Sequence, residues 1–228
     1  MRARANVVAI DGPAGSGKST TAQAVADRLG FTHLESGALY RAFTLAALDA
    51  AIPLEGQRVA ALAASLPVRL TYAPPGFRPE VAGVDVSGAV RRADVTTHVS
   101  AVSALPEVRA IATRLLRDAA AQHPRGVVAD GRDIGTVVFP DAQLKVFLTA
   151  SPESRARRRL LQDGHAVGPE AIAEEARRLA GRDHADSTRA VAPLRQAPDA
   201  VLLDTTELSF AQQVDRIVDL ARKAFGNG

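Results

Sequence analysis

The sequence predicts an α/β fold in which a parallel sheet is flanked by helices. Four short apolar runs bounded by turn residues are typical of buried parallel strands, and they alternate with segments of helical period. A chain of 228 residues, of which 46% are hydrophobic, is long enough to bury a substantial core. Strands that alternate with helices imply parallel pairing and right-handed crossovers. The four predicted strands are residues 7–10, 126–129, 145–148 and 200–203.

Two segments depart from this alternation. Residues 68–86 carry two strand-like stretches around Pro74-Pro75-Gly76, which predicts a small antiparallel hairpin inserted into the α/β frame. Residues 154–182 have a helical pattern, are rich in Arg, and are interrupted at Asp163-Gly164-His165, which is typical of a mobile flap. We therefore expect a small β insert and a helical lid beside the main sheet.

Composition narrows the functional class. Basic residues exceed acidic ones by three, 28 against 25, and this surplus is too small to indicate nucleic-acid binding. The chain has no cysteine, which excludes disulfides and thiolate metal sites. The first apolar run is too short for a signal segment or a membrane span, so we expect a cytoplasmic protein with no membrane partner.

A glycine-rich motif joins the first predicted strand to a predicted helix at residues 19–29. It reads Gly12-Pro13-Ala14-Gly15-Ser16-Gly17-Lys18-Ser19, followed by Thr20. Gly, four residues and then Gly-Lys-Ser form a P-loop, whose backbone amides surround nucleotide phosphates at the positive end of the helix dipole. In such a loop Lys18 reaches the β and γ phosphates, and the Ser19 hydroxyl ligates Mg²⁺. We therefore expect the chain to bind a nucleoside triphosphate.

A second candidate element follows the strand predicted at residues 126–129. Asp130 ends this apolar run, as does the Walker B carboxylate that orders the Mg²⁺ shell, although Asp is also common there as a turn residue. The next residues, Gly131-Arg132-Asp133, add an Arg and a second carboxylate that a simple turn does not need. Ligands of open α/β sheets bind at this end of the strands. Ser19 and Asp130 are the candidate metal ligands, directly or through water.

The predicted lid carries Arg155, Arg158 and Arg159 on one helix face. This spacing fits either a solvated basic face or a site for an anion, which would relieve the repulsion among the three charges.

Only three of the 28 basic residues are Lys, a ratio that either codon bias or selection for planar phosphate-binding groups would produce. The sequence lacks the Asn-Lys-x-Asp motif with which GTPases recognise guanine.

Taken together, the motifs resemble the bacterial cytidylate kinase family over nearly the whole chain. The most specific blocks are the segment from Asp130-Gly131-Arg132-Asp133 to Pro140 and the cluster of Arg182-Asp183, Asp186-Ser187 and Arg189. The remaining blocks are Ile10-Asp11-Gly12-Pro13, Glu35-Ser36-Gly37-Ala38-Leu39-Tyr40-Arg41, Asp85-Val86-Ser87-Gly88, Pro106-Glu107-Val108-Arg109, Arg155-Ala156-Arg157-Arg158-Arg159 and Pro193-Leu194.

The resemblance implies a P-loop kinase with a parallel five-stranded sheet flanked by helices, a small antiparallel β insert and a helical lid, in one monomeric domain. It divides the chain into a core (1–35, 111–153 and 183–228), a monophosphate-binding insert (36–110) and a lid (154–182). The implied reaction transfers the γ-phosphoryl group of ATP to CMP or dCMP, with Mg²⁺, and gives ADP and CDP or dCDP.

The resemblance also implies roles for single residues. The P-loop from Gly12 to Thr20 is implied to bind ATP, and Arg41 and Arg132 to hold the acceptor phosphate. The residues implied to bind CMP are Ser36, Arg41, Ser100, Arg109, Arg132, Asp133, Arg182, Asp186 and Arg189, with Ser100, Arg109 and Asp133 facing the cytosine. Those implied to serve catalysis are Lys18, Arg132, Arg155, Arg158 and Arg159. Glu35 departs from the family, which usually has Asp there, and adds a methylene beside Ser36, where the resemblance implies a sugar contact.

Elementary chemistry agrees with a phosphate acceptor. A phosphate monoester already carries about −1.5 to −2 charge near neutral pH and needs no general base, and we expect no Asp-His or Ser-His pair near the P-loop. A carboxylate such as Asp133 accepts from the N4 amine of cytosine and would repel the carbonyl of uracil.

Two other functions remain as alternatives for the protein. They are another P-loop kinase, such as one using shikimate or thymidylate, and a regulatory or nucleic-acid-dependent ATPase.

Overall fold

The structure, a computed structural model, describes residues 6–226 of the protein. Five strands form a parallel sheet in the order β2-β6-β1-β7-β8, which confirms the predicted parallel five-stranded sheet. The strands of the whole sheet are β1 (Val7–Asp11), β2 (Thr32–Glu35), β3 (Val68–Ala73), β4 (Gly76–Val81), β5 (Val84–Asp85), β6 (Val127–Gly131), β7 (Leu144–Thr149) and β8 (Val201–Asp204).

Helices cover both faces of the sheet. They are α1 (Lys18–Leu29), α2 (Ser36–Asp49), α3 (Gly56–Ser65), α4 (Ala93–Ala104), α5 (Pro106–Ala121), α6 (Pro152–Gln162), α7 (Pro169–Thr188) and α8 (Phe210–Ala224). Pro stands at the first position of α5, α6 and α7, where its missing N–H has no helical partner to lose. The described part of the chain contains no helix with the length and apolar character that crossing a membrane requires.

Strand β1 lies between two apolar cores. Val7 and Ala9 pack with helices α2 to α5 on one face, whereas Val8 and Ile10 pack with α1 and α8 on the other. Successive side chains of a strand point to opposite faces, so a strand buried on both sides is apolar throughout. This explains why the sequence pattern located β1, β6 and β7, whereas β8 is an apolar run that is exposed at Val201 and Leu202.

The predicted antiparallel hairpin is present as β3 and β4, with β5 pairing to β4. It differs from a separate insert because β4 also pairs in parallel with β2 at His33 and Gly76, which joins the hairpin to the main sheet. The hairpin thereby covers the outer edge of β2, which would otherwise present unpaired backbone groups.

The predicted lid is a pair of helices, α6 and α7, joined by residues 163–168. Three of the expected segment boundaries fall inside helices, since α5 runs through residue 110, α6 through residue 153 and α7 through residue 182. The division into core, insert and lid stays a prediction.

The order of the strands places the ligand-binding end of the sheet. The chain leaves β1 toward β2 on one side of the sheet and later returns to β7 on the other, so the two halves diverge at β1. A crevice opens at such a divergence, at the carboxyl ends of the strands. The P-loop follows β1, and Arg132 and Asp133 follow the adjacent β6.

Candidate active site

The P-loop links β1 to α1 and begins with a glycine that no other residue can replace. Gly12 has a φ of 153°, and a Cβ atom there would lie 2.0 Å from the carbonyl oxygen of Leu148 on β7. The loop ends at Gly17, which precedes the first turn of α1 in a left-handed conformation and has no side chain to cap the amides of that turn. Free amides at a helix N-terminus favour an anion.

Lys18 is buried at the base of the loop. Its Nζ donates to the carbonyl oxygen of Pro13 at 2.6 Å and to Ser16 Oγ at 3.3 Å. Burial lowers the pKa of Lys18 well below its usual range, and the charge of Arg132 lowers it further. A phosphate beside this ammonium group would favour its charged form.

Asp130 joins the P-loop to strand β2. One of its carboxylate oxygens, Oδ2, accepts a hydrogen bond from Ser19 Oγ at 2.6 Å, and the other, Oδ1, lies 2.7 Å from Nε2 of His33. Burial tends to raise the pKa of Asp130, but the hydrogen bond and charge of His33, the hydrogen bond from Ser19 and the charge of Lys18 together lower it. Burial tends to lower the pKa of His33, but the hydrogen bond and charge of Asp130, together with the charges of Glu35 and Asp27, raise it.

The His33–Asp130 pair is a correction to the sequence analysis, which expected no Asp–His pair near the P-loop. The two residues lie 97 positions apart and meet only because β2 pairs with β6. His33 is therefore a site residue that the sequence analysis missed. The sequence indicated His33 only indirectly, through the Glu35-Ser36 motif that begins two residues later, where the strand ends.

The candidate metal ligands fit Mg²⁺. They offer a hydroxyl and a carboxylate oxygen, and Mg²⁺ is usually held by one or two carboxylates together with water and substrate phosphates. Residues 6–226 contain no group of three or more His, Cys, Asp or Glu side chains arranged to hold a metal ion alone. This oxygen pair suits a metal that arrives with a nucleotide.

Four arginines, Arg41, Arg132, Arg159 and Arg182, line one cavity with the P-loop and lie close enough to repel one another. Burial lowers the pKa of Arg182 to about 10, and the charges of Arg132, Arg41 and Arg159 lower it further. Burial likewise lowers the pKa of Arg41, and Arg159 and Arg132 contribute to that shift. Like charges held this close favour an anion among them.

A buried ion pair also forms part of the cavity lining. Arg109 is paired with Asp133, and its Nη1 donates to the carbonyl oxygen of Ser103 at 2.8 Å. The guanidinium also lies over the ring of Tyr40, 5.3 Å from its centroid. Arg189 approaches the same carboxylate, with 3.6 Å between its Nη2 and Asp133 Oδ1.

Tyr40 is a second residue that the sequence analysis assigned no role. Burial raises the pKa of its hydroxyl to about 12, so the group stays a hydrogen-bond donor at neutral pH. The hydroxyl has no hydrogen-bond partner within the described chain and lies in the wall of the cavity. Tyr40 belongs to the motif that preceded Arg41 in the sequence, which was its only signal.

One cavity of about 740 Å³ brings most of the predicted residues together. The predicted residues that line it are Ala14, Gly15, Gly17, Lys18, Ser19, Thr20, Ser36, Arg41, Arg109, Asp130, Arg132, Asp133, Arg159, Arg182, Asp186 and Arg189. Glu35 also lines it, and burial raises the pKa of its carboxyl group. Asp186 is held by Arg132, whose Nε donates to its Oδ2 at 2.8 Å.

The remaining predicted residues are not among the described residues that line this cavity. Gly12, Pro13 and Ser16 belong to the P-loop but not to the lining, and Ser103 lines the cavity in place of Ser100, which lies one helical turn earlier. Arg158 donates to the side chain and the carbonyl oxygen of Thr205, at 2.9 and 2.7 Å. Arg155 is bonded to Ala14 and paired with Asp183.

The fold and the cavity define a P-loop kinase, a phosphotransferase that holds a phosphate donor beside a second anionic substrate. The model of the cytidylate kinase family matches residues 8–223. The chain is 48% identical over 221 residues to the cytidylate kinase of Mycobacterium avium, covering 95% of each chain. It is 48% identical over 215 residues to that of Streptomyces griseus, covering 94% of this chain and 91% of the relative. The chain therefore belongs to the cytidylate kinase family.

The family resemblance predicted from the sequence is thus confirmed, and so is the enzyme class. A third relative, the cytidylate kinase of Pseudomonas syringae pv. syringae, is 47% identical over 224 residues and covers 96% of each chain. The match extends through the P-loop, the arginine cluster and both lid helices.

Proposed function

We propose that the protein transfers the γ-phosphoryl group of ATP to CMP or dCMP, giving ADP and CDP or dCDP. The observation that carries the proposal is the cavity whose lining includes both the P-loop and the arginine cluster. A donor bound at the P-loop and an acceptor bound at the arginine cluster would bring their phosphates together between Lys18 and Arg132, whose charge acts on Lys18. Positioning of this kind accounts for most of the catalysis of phosphoryl transfer.

The acceptor phosphate would bind among the cavity arginines. Arg41, Arg132 and Arg182 supply planar donors that match phosphate oxygens, and Arg159 adds a fourth from the lid. Their mutual repulsion in the free protein is relieved when an anion binds. A phosphate acceptor needs no base to remove a proton, so this chemistry does not require the His33–Asp130 pair to act as one.

Mg²⁺ would be held by Ser19 and Asp130 together with the phosphates of the nucleotide. When bound, it neutralises charge on the β and γ phosphates and so favours transfer. The chain's own contribution is to hold the two oxygen ligands 2.6 Å apart at the base of the P-loop.

Cytosine would be recognised by the buried group of Arg109 and Asp133. Asp133 accepts from an exocyclic amine, and Arg109 donates to the ring carbonyl and the adjacent nitrogen. The pairing of Arg109 with Asp133 would hold both side chains in place for the base. Uracil would set a carbonyl against the carboxylate, and the unpaired buried group would then disfavour UMP.

The test is ADP formation measured with CMP, dCMP, UMP, AMP and no acceptor. We expect turnover with CMP or dCMP, far less with UMP or AMP, and little without acceptor. Lys18→Ala is the matched control, and loss of this transition-state contact should lower kcat about 10² to 10³-fold. ADP formation that is independent of acceptor would instead indicate an ATPase, and a preference for a hydroxyl acceptor would indicate another small-molecule kinase.

We also propose that the protein acts as a monomer in the cytoplasm on small molecules, without a nucleic-acid partner. One chain supplies both the P-loop and the arginine cluster of the cavity, which supports a monomer. Light scattering during size-exclusion chromatography, with and without both nucleotides, tests the oligomeric state.

A further inference from the structure

His33 bonds to the carboxylate that the proposed function assigns to Mg²⁺, and it does so from a neighbouring strand. In the pairing of β2 with β6, Glu35 lies opposite Asp130, and His33 lies opposite Val128. The imidazole reaches along the sheet to Asp130 Oδ1 at 2.7 Å. The side chains of His33 and Asp130 are 11% and 5% exposed, so little water competes for this contact.

The two oxygens of Asp130 therefore have separate partners. His33 contacts Oδ1, and Ser19 donates to Oδ2 from the first turn of α1. With Oδ1 fixed, rotation of the carboxylate is restricted and Oδ2 stays directed at the P-loop. Without a partner at Oδ1, the group would turn toward any other donor in the cavity.

We propose that His33 is a positioning residue that holds the Asp130 carboxylate toward Ser19, so that the two oxygen ligands of the nucleotide's Mg²⁺ are set before the nucleotide binds. The inference rests on the proposed function, since it assumes that these two residues bind the metal. Hydrogen-bond partners of metal ligands commonly tune affinity in this way, and their loss typically lowers metal affinity about 10- to 100-fold.

A role confined to joining strands is a weaker explanation of the same contact. The backbone of β2 already pairs with β6 along the whole of Thr32–Glu35. The His33 ring itself lies in the wall of the cavity beside the P-loop. His123 offers a matched comparison, because it also contacts strand β2. Its Nδ1 lies 3.3 Å from Oγ1 of Thr32, the neighbour of His33, but its ring lines a different cavity.

The experiment compares the affinity of each variant for ATP with excess Mg²⁺ and with EDTA, by titration calorimetry. The ratio of the two dissociation constants reports the contribution of the metal and does not depend on turnover. His33→Leu removes the donor at similar volume, His33→Gln keeps an N–H near the position of Nε2, and His123→Leu is the control. Each variant is first checked by thermal melting.

We expect His33→Leu to lose at least about tenfold of the Mg²⁺-dependent gain in ATP affinity, with affinity in EDTA little changed. His33→Gln should retain most of the gain, and His123→Leu all of it. A folded His33→Leu variant with the parent's ratio overturns the inference, as does an equal loss in His123→Leu. If His33→Leu does not fold, His33→Met is measured against the same criteria.

The proposed function fails in a different way. A parent protein that binds no ATP, or binds it equally with and without Mg²⁺, overturns the metal site and the inference together. If the parent binds Mg²⁺ with ATP and phosphorylates CMP, the proposed function stands. The ratio of the two ATP dissociation constants in His33→Leu then tests only the role of His33.

Discussion

The carboxylate of Asp183 binds the guanidinium of Arg155 and the backbone of the P-loop at the same time. Asp183 Oδ1 accepts from the amide of Ala14 at 2.7 Å, its Oδ2 is paired with Arg155, and Arg155 Nη1 donates to the carbonyl oxygen of Ala14 at 2.8 Å. Ala14 also packs with Ala156 and Leu179. Both lid helices are thus fastened to the tip of the P-loop.

We expect Asp183→Ala to destabilise the protein by about 3 kcal/mol, because it leaves the largely buried Arg155 without its counter-charge and a P-loop amide without its acceptor. Asp183→Asn keeps an acceptor and should cost less. Asp215→Ala, which breaks an exposed pair with Arg28, is the control and should change stability by less than about 1 kcal/mol. Urea denaturation measures all three, and equal costs for Asp183→Ala and the control would contradict the prediction.

Asp133→Asn should reduce the preference for CMP over UMP. Asn can donate as well as accept, so the group no longer disfavours the uracil carbonyl. We expect kcat/KM for CMP to fall at least about tenfold, equivalent to about 1.4 kcal/mol, with UMP less affected. Melting curves are needed beside the kinetics, because Asn also removes the counter-charge of the buried Arg109. An unchanged CMP-to-UMP ratio would leave Asp133 as the structural partner of Arg109 only.

The two adjacent lid arginines should respond differently to replacement by alanine. Arg159 lines the cavity, so Arg159→Ala should lower kcat about 10² to 10³-fold, and more than it raises the KM for CMP. Arg158 connects α6 to the loop after β8 through Thr205. Arg158→Ala should therefore lower the melting temperature as well as kcat. Steady-state kinetics and melting of both variants test this, and an Arg159→Ala enzyme with normal kcat would remove Arg159 from catalysis.

The sequence was most informative where a pattern is local. The strands β1, β6, β7 and β8 are short apolar runs, and the P-loop is one continuous motif, so both could be predicted. Strand β2 alternates between buried and half-buried residues over only four positions and contains His33 and Glu35, which hid it. A strand this short that contains polar residues leaves little hydrophobic signal.

The sequence pattern could not predict contacts between segments that are distant along the chain. The pairing of His33 with Asp130 depends on the register of β2 and β6, and the bond between Asp183 and Ala14 depends on how α7 returns to the P-loop. Ser100 and Ser103 show the same limit within a helix. They lie three positions apart on the same face of α4, and only the packing of α4 decides which of them lines the cavity. The assignment of Ser100 to CMP binding stays a prediction.

Asp11, at the end of β1, supports the segment that carries Arg132 and Asp133. Its two carboxylate oxygens accept from the backbone amides of Ile134 and Gly135, at 2.8 and 2.7 Å. Burial raises the pKa of Asp11 to about 6, and the two hydrogen bonds oppose this shift without cancelling it.

Asp11→Asn should therefore change stability in a pH-dependent way. The folded pKa lies above the unfolded value, so the stabilisation from protonated Asp11 is complete below the unfolded pKa and is lost as pH rises through about 6. The cost of Asp11→Asn, measured by urea denaturation, should shrink by about 1 kcal/mol between pH 5 and pH 7. Asp85→Asn is the control: hydrogen bonds from Ser87 lower the pKa of this exposed carboxyl, so its cost should stay constant over that range. A constant cost for Asp11→Asn would show that Asp11 is ionised in the folded protein throughout.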